Sequence, residues 1–161
     1  MEKIYIGKIT STHGIKGELK IKSNFEFKDK VFKVGNKLLI DNKLYEIKSY
    51  RVHKGFDMVT LDDYNDINQV LFLRGKKVYF SKDMLNLDNE EILDEDLIKY
   101  SIVLNDGKCG IIEEVFYASS SNKIIRINID GETHLIPFNS PCILSIDKEN
   151  KCIKIELIDG M

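Results

Sequence analysis

Gly7-Lys8-Ile9-Thr10-Ser11-Thr12-His13-Gly14-Ile15-Lys16-Gly17-Glu18-Leu19-Lys20-Ile21-Lys22 decides how this chain is read. At its C-terminal end Leu19 and Ile21 alternate with Glu18, Lys20 and Lys22, the period of a strand with one buried face. Upstream, Ile4, Ile6 and Ile9 supply a second apolar edge. Between the two, residues 12–17 break the alternation and carry Gly14 and Gly17. Glycine tolerates positive φ and lets another backbone come close. Such a loop can aim several N–H groups outward as a nest for anions. Lys16 stands between the glycines, and Lys20 and Lys22 continue the basic face. The same pattern also describes a tight strand connection with solvated lysines. Gly-Lys-Ser/Thr is absent, so the loop is not a Walker loop.

Working outward, strand patterns cover 3–9, 17–23, 37–41, 44–52, 57–61 and 76–80. Turn signals separate them at 34–36, 41–43 and 53–55, and Asp41-Asn42 reads as a hairpin turn. Six short strands with small turns predict a compact barrel over residues 1–82. Phe25, Phe27 and Phe32 are expected to cap one end of it as a core-lining loop. One short helix is expected, with Asp66 as N-cap, Gln69 as capping-box partner and Gly75 just past its end. Its Ile67, Val70 and Leu71 should face the barrel. Residues 83–96 hold seven acids and no base, a composition shift that marks a linker. Residues 97–161 are again β, with hairpin signals at Asp106-Gly107 and Asp130-Gly131. Ile125, Ile127 and Ile129 alternate with polar residues, as do Ile153, Ile155 and Leu157. Five or six short antiparallel strands would close as a second barrel. The expected fold is mainly β: two small β-barrels joined by an acidic linker, with one short helix in the N-terminal barrel.

The formal net charge of −2 conceals a division. Residues 1–82 hold 17 Lys and Arg against 10 Asp and Glu, a charge of +7. Residues 83–161 hold 7 against 16, a charge of −9. A basic half is an electrostatic footprint for nucleic acid, and the asymmetry suggests domains with different partners. Hydrophobic residues make up 43% of 161, enough for packed cores, and no apolar run approaches membrane-spanning length. The start Met-Glu-Lys-Ile-Tyr lacks the shape of a signal peptide. Cys109, Cys142 and Cys152 are an odd number without C-x-x-C spacing, which argues against a disulfide framework and a zinc site. A reduced cytoplasm fits best, with no cofactor and no metal expected. His13, His53 and His134 form no i,i+4 pair, and no Ser or Cys has the setting of a nucleophile elbow. These features favour a binding protein over an enzyme. The rival readings are a phosphate-binding barrel enzyme, a hydrolase or phosphoryl-transfer catalyst using His13, and a general barrel adaptor with no RNA role.

Gly7-Lys8-Ile9 followed by Thr12-His13-Gly14-Ile15-Lys16-Gly17-Glu18 resembles the opening signature of the RimM family of ribosome maturation factors. Arg51-Val52-His53-Lys54-Gly55 and Leu73-Arg74-Gly75 are similar to later motifs of its N-terminal domain. Asp96-Leu97-Ile98, Gly110–Val115, Leu135-Ile136-Pro137-Phe138 and the strands from Ile146 to Leu157 resemble its PRC-barrel domain. The resemblance implies a non-enzymatic monomer that binds the free small (30S) ribosomal subunit. It implies help in maturing the subunit's head and processing 16S rRNA, and contact with small-subunit ribosomal protein nineteen of the head. The basic half is then expected on rRNA. Lys16, Lys20, Arg51 and Lys54 would touch phosphates, Gly14 and Gly17 would permit close approach, and His13 would shape or contact. Ile92 and Leu93 stand where the family often has an aromatic pair, and Lys99 where it has a glycine. Ile92 and Leu93 are expected to supply the apolar contact to the ribosomal protein.

Overall fold

The computed structural model describes residues 2–119 and 121–157. It divides into two compact units, Met1–Asn86 and Leu87–Met161. The described residues are mainly β, and none of their helices is long and apolar enough to cross a membrane.

The first unit is a closed barrel. Its strands are β1 (Lys3–His13), β2 (Glu18–Lys22), β3 (Lys37–Ile40), β4 (Lys43–His53), β5 (Phe56–Leu61) and β6 (Lys77–Ser81). They pair in the order β1-β2-β5-β4-β3-β6, every pair antiparallel, and β6 closes back onto β1. Ile4, Ile6, Ile9, Leu19 and Ile21, the residues marked by alternation, are all buried in its core. β1 runs four residues past the expected end at Ile9. The register slips between Ile9 and Ser11, a bulge that breaks the period-two pattern while the strand continues. A second slip lies between Tyr5 and Gly7. There Gly7 lets the backbones close in: a Cβ at that position would sit 2.5 Å from the Lys22 carbonyl oxygen. Asp41 and Asn42, at φ 51° and 62°, make the expected hairpin turn between β3 and β4.

Residues 25–32 contain a one-turn helix, α1 (Lys28–Val31), where a loop was expected. Phe27, Val31 and Phe32 are buried, and Phe32 stacks on Tyr50 at 5.4 Å. The Tyr50 hydroxyl donates to Asp57 at 2.6 Å, and Lys28 pairs with the other oxygen at 2.9 Å. Burial, then the Asp57 carboxylate, pushes the Tyr50 hydroxyl well above its ordinary pKa.

The expected helix is α2 (Ile67–Val70), with the full Asp66–Gln69 capping box. It tightens into a 3₁₀ turn at Leu71–Leu73. The tighter winding turns Leu73 inward, fully buried, and leaves Leu71 36% exposed. Val70 and Leu73 therefore seat the helix, and the expectation that Leu71 would do so is corrected.

The second unit is a six-stranded sheet. Its strands are β7 (Ser101–Leu104), β8 (Cys109–Ser119), β9 (Asn122–Ile129), β10 (Glu132–Pro137), β11 (Ile143–Asp147) and β12 (Cys152–Ile155). The order is β10-β9-β8-β7-β12-β11. Hairpins join most neighbours, but β12 lies parallel to β7, with Ile153 beside Ile102, where only antiparallel pairs were expected. A parallel pair needs a long crossover, and the intervening strands β8 to β11 supply it. Ile102, Ile112, Ile125, Ile127, Ile136, Ile153 and Ile155 form the core.

Half of the acidic run 83–96 is fastened to this sheet. Ile92 and Leu93 are only 3% and 6% exposed, and α3 (Asp94–Leu97) follows. The Lys148 ammonium donates to the carbonyls of Asp88 and Glu91 at 2.6 and 2.7 Å. Lys123, itself buried, reaches the Ile92 carbonyl at 3.2 Å and the Asp94 carboxylate at 2.8 Å. Tyr117 donates to the other Asp94 oxygen at 2.8 Å. Lys123 of β9 and Lys148, in the turn after β11, thus hold the run, both through backbone carbonyls and Lys123 also through the Asp94 carboxylate.

Candidate nucleic-acid interface

The residues expected to contact RNA are brought near one another by the order β1-β2-β5-β4. Lys20, Met58 and Arg51 stand in one cross-strand row over β2, β5 and β4. Around Met58 the strand ends converge. His13, at the end of β1, meets His53, at the end of β4, with ring centroids 5.3 Å apart. Lys20 lies over the Phe56 ring at 4.0 Å. Phe56 and the His13–His53 contact went unnoticed in the sequence, since only strand pairing places them together.

Two of the expected residues also make contacts within the barrel. Arg51 grips Glu18 with both prongs, at 2.7 and 2.8 Å. This hydrogen bond, ahead of other causes, holds the Glu18 carboxyl below its ordinary 4.5. Arg51, half exposed, is thus paired with Glu18 and holds it in place. Gly17 is buried, at φ 82°, and a Cβ there would lie 3.2 Å from the Asp66 carbonyl oxygen. The Ile67 N–H donates to the Ile15 carbonyl at 3.0 Å. The close approach that Gly17 permits is thus to α2 of its own barrel, which docks the loop. Gly14, at φ 71°, has open space around it.

Lys16 and Lys54 are exposed. Lys54 occupies the left-handed position of the β4–β5 turn at φ 50°, with Gly55 at 81°. Ile15, between Gly14 and Lys16, is 80% exposed. Desolvation first, and then the nearby Arg51 charge, lower the His53 pKa from its ordinary value and so favour the neutral ring. Lys16, Lys20 and Lys54 therefore supply the cations of this region, and Glu18 offsets Arg51 within it.

In the second unit the expected contact pair, Ile92 and Leu93, is buried and presents no apolar face. Elsewhere on that unit a cavity of about 410 Å³ is lined by Asp106, Asp130, Glu132 and Glu156, with Lys108 and His134. Among the described residues Cys109, Cys142 and Cys152 form no disulfide. Among the described residues no three His, Cys, Asp or Glu side chains gather as a metal site.

Comparison with known proteins assigns both units. The sequence model of the RimM N-terminal domain matches residues 4–85, and that of the RimM PRC barrel domain matches residues 94–161. The ribosome maturation factor RimM of Staphylococcus saprophyticus is 36% identical over 172 residues, covering 99% of this chain and 98% of that protein. The same factor of Staphylococcus epidermidis is 34% identical over 167 residues, with 99% and 98% covered. Among solved structures, a crystal structure of RimM from Pseudomonas aeruginosa covers 99% of this chain and 100% of its own, at 19% identity and a TM-score of 0.48.

Proposed function

We propose a role in small-subunit assembly, because this chain belongs to the RimM family of ribosome maturation factors. In this reading the protein binds the free 30S subunit in the cytoplasm, helps its head mature and promotes processing of 16S rRNA, without catalysing a reaction itself. Residues 1–82 face rRNA, residues 97–161 face a basic protein of the head, such as small-subunit ribosomal protein nineteen, and residues 83–96 join them.

The observation that carries this reading is the division of charge, +7 in residues 1–82 against −9 in residues 83–161. Lysines on the first barrel attract phosphates and release their counterions. The carboxylates around the cavity of the second unit suit a basic protein surface and repel RNA. His13 meets His53, and the neighbouring carboxylate Glu18 is taken up by Arg51. No nucleophile and base are paired in that arrangement, so binding is favoured over phosphoryl chemistry.

The test is co-sedimentation of the full chain with small subunits, large subunits and joined ribosomes, side by side. Selective association with free small subunits, weakening as salt rises, is expected. Equal association with all three, or with none, overturns the proposal.

A further inference from the structure

Three lysines stand side by side on the outer wall of the first barrel. Lys8 on β1 is the direct cross-strand partner of Lys22 on β2 and of Lys77 on β6. All three are exposed, and none pairs with a carboxylate among the described residues. Like charges placed directly opposite in neighbouring strands oppose sheet formation. Two structural features hold this row in place. Gly7 brings β1 against the Lys22 carbonyl, and the Ser23 hydroxyl donates to the Ile6 carbonyl at 2.6 Å.

The surroundings of the row are basic and aromatic. Lys20 lies two residues from Lys22 on the same strand face. On the other side Tyr5, 51% exposed, pairs edge-on with Tyr79 at 5.7 Å, and Lys3 sits over the Tyr79 ring at 4.4 Å. Rows of cations beside exposed rings are what a nucleic-acid strand requires: charge for the backbone and flat faces for bases.

We propose that Lys22, Lys8 and Lys77 form a phosphate-binding row for an RNA strand, with Tyr5 and Tyr79 as the adjoining aromatic face. This deepens the role proposed above and rests on it. Neighbouring strands lie about 4.8 Å apart, so the row spans roughly 10 Å across the wall, a distance that successive phosphates of one strand can bridge. The mutual repulsion of the lysines is relieved when phosphates sit between them.

The experiment compares the full chain with the triple variant Lys8→Gln, Lys22→Gln, Lys77→Gln. A charge-matched control carries Lys33→Gln, Lys37→Gln and Lys48→Gln. Affinity for a 16S rRNA fragment is measured at several salt concentrations. Each lost phosphate contact removes about 0.7 to 0.9 from the log–log salt slope. Over a fourfold rise in salt, the wild type should lose roughly 20- to 40-fold more affinity than the row variant, on that same rule. The control should keep the wild-type slope. The row variant should melt at or above the wild type, because the repulsion is gone. A wild-type slope in the row variant, or an equal loss in the control, overturns the row while leaving the ribosomal role standing. Wild-type protein that binds neither rRNA nor small subunits overturns the ribosomal role itself. Binding of phosphatidylserine vesicles that is as tight as rRNA binding, and lost in the same variant, would reassign the face to anionic lipid and overturn the RNA assignment.

Discussion

Removing the Asp94 carboxylate should open the second unit far more than removing the ammonium it faces. Lys123 is 7% exposed, with its Nζ 2.8 Å from Asp94 and 3.2 Å from the Ile92 carbonyl. Asp94→Ala removes the carboxylate 2.8 Å from that buried cation. For a fully buried pair such a loss costs about 3–5 kcal/mol. The Asp94 side chain is 42% exposed, so water reaches part of the site. Discounted for that screening, the expected cost is about 2–3 kcal/mol. Lys123→Met keeps the chain's bulk and removes the buried charge, and the freed carboxylate can turn toward solvent. Its cost should stay at about 1 kcal/mol or below. The assay is amide hydrogen exchange followed along the chain, which separates the two units without dissecting them. At tenfold per 1.4 kcal/mol, Asp94→Ala should lower protection in β8 and β9 by roughly 30- to 150-fold, with β1 to β6 unchanged. Equal effects of the two substitutions, or full protection in Asp94→Ala, would refute the reasoning. The same contacts explain why a fragment starting at residue 97 should be less stable than one starting at residue 87.

Two further predictions concern the first barrel. The Glu18 carboxyl is lowered in the folded state, so its stabilisation is full above the ordinary 4.5 and is lost as pH falls through the folded value. Glu18→Gln should therefore be less stable than wild type at pH 7, by no more than about 1 kcal/mol because Arg51 is half exposed, and the gap should close in acid. Urea unfolding across pH checks this, and a gap that persists unchanged to pH 3 would contradict it. Gly17→Ala should cost about 1–3 kcal/mol, since it strains a left-handed residue and crowds the Asp66 carbonyl, whereas Gly14→Ala, in open space, should cost about 1 kcal/mol. Urea midpoints that rank the two in the opposite order would refute the docking of the loop on α2.

What could be read in the sequence was local. Alternation marked Leu19, Ile21, Ile125 and Ile127 as core, and all are buried. Asp41-Asn42 and Asp130-Gly131 marked turns, and both pairs take positive φ. Asp66 and Gln69 marked the start of α2. What could not be read depended on partners far along the chain. Arg51 finds Glu18 across 33 positions and Lys148 finds Asp88 across 60. Periodicity carries no information about either pair. The bases that hold the acidic run, Lys123 and Lys148, lie far downstream in the chain, where no local pattern shows them. Ile92 and Leu93 looked available for a partner because nothing local shows that the sheet covers them. The bulges in β1 hid in the same way: a register slip looks like the end of a strand when only one strand is in view.

The charge of the first barrel also changes meaning once the pairs are known. Glu2, Glu18, Asp41 and Asp57 are matched by Lys82, Arg51, Lys76 and Lys28. Asp66 is engaged at the cap of α2. On β1, β2 and β6, Lys3, Lys8, Lys20, Lys22 and Lys77 form no salt bridge among the described residues. Beyond about one Debye length, near 8 Å at physiological salt, the compensated pairs contribute little to the field. A polyanion approaching the barrel meets the local density of lysines on that wall, which the net charge of −2 for the whole chain does not describe.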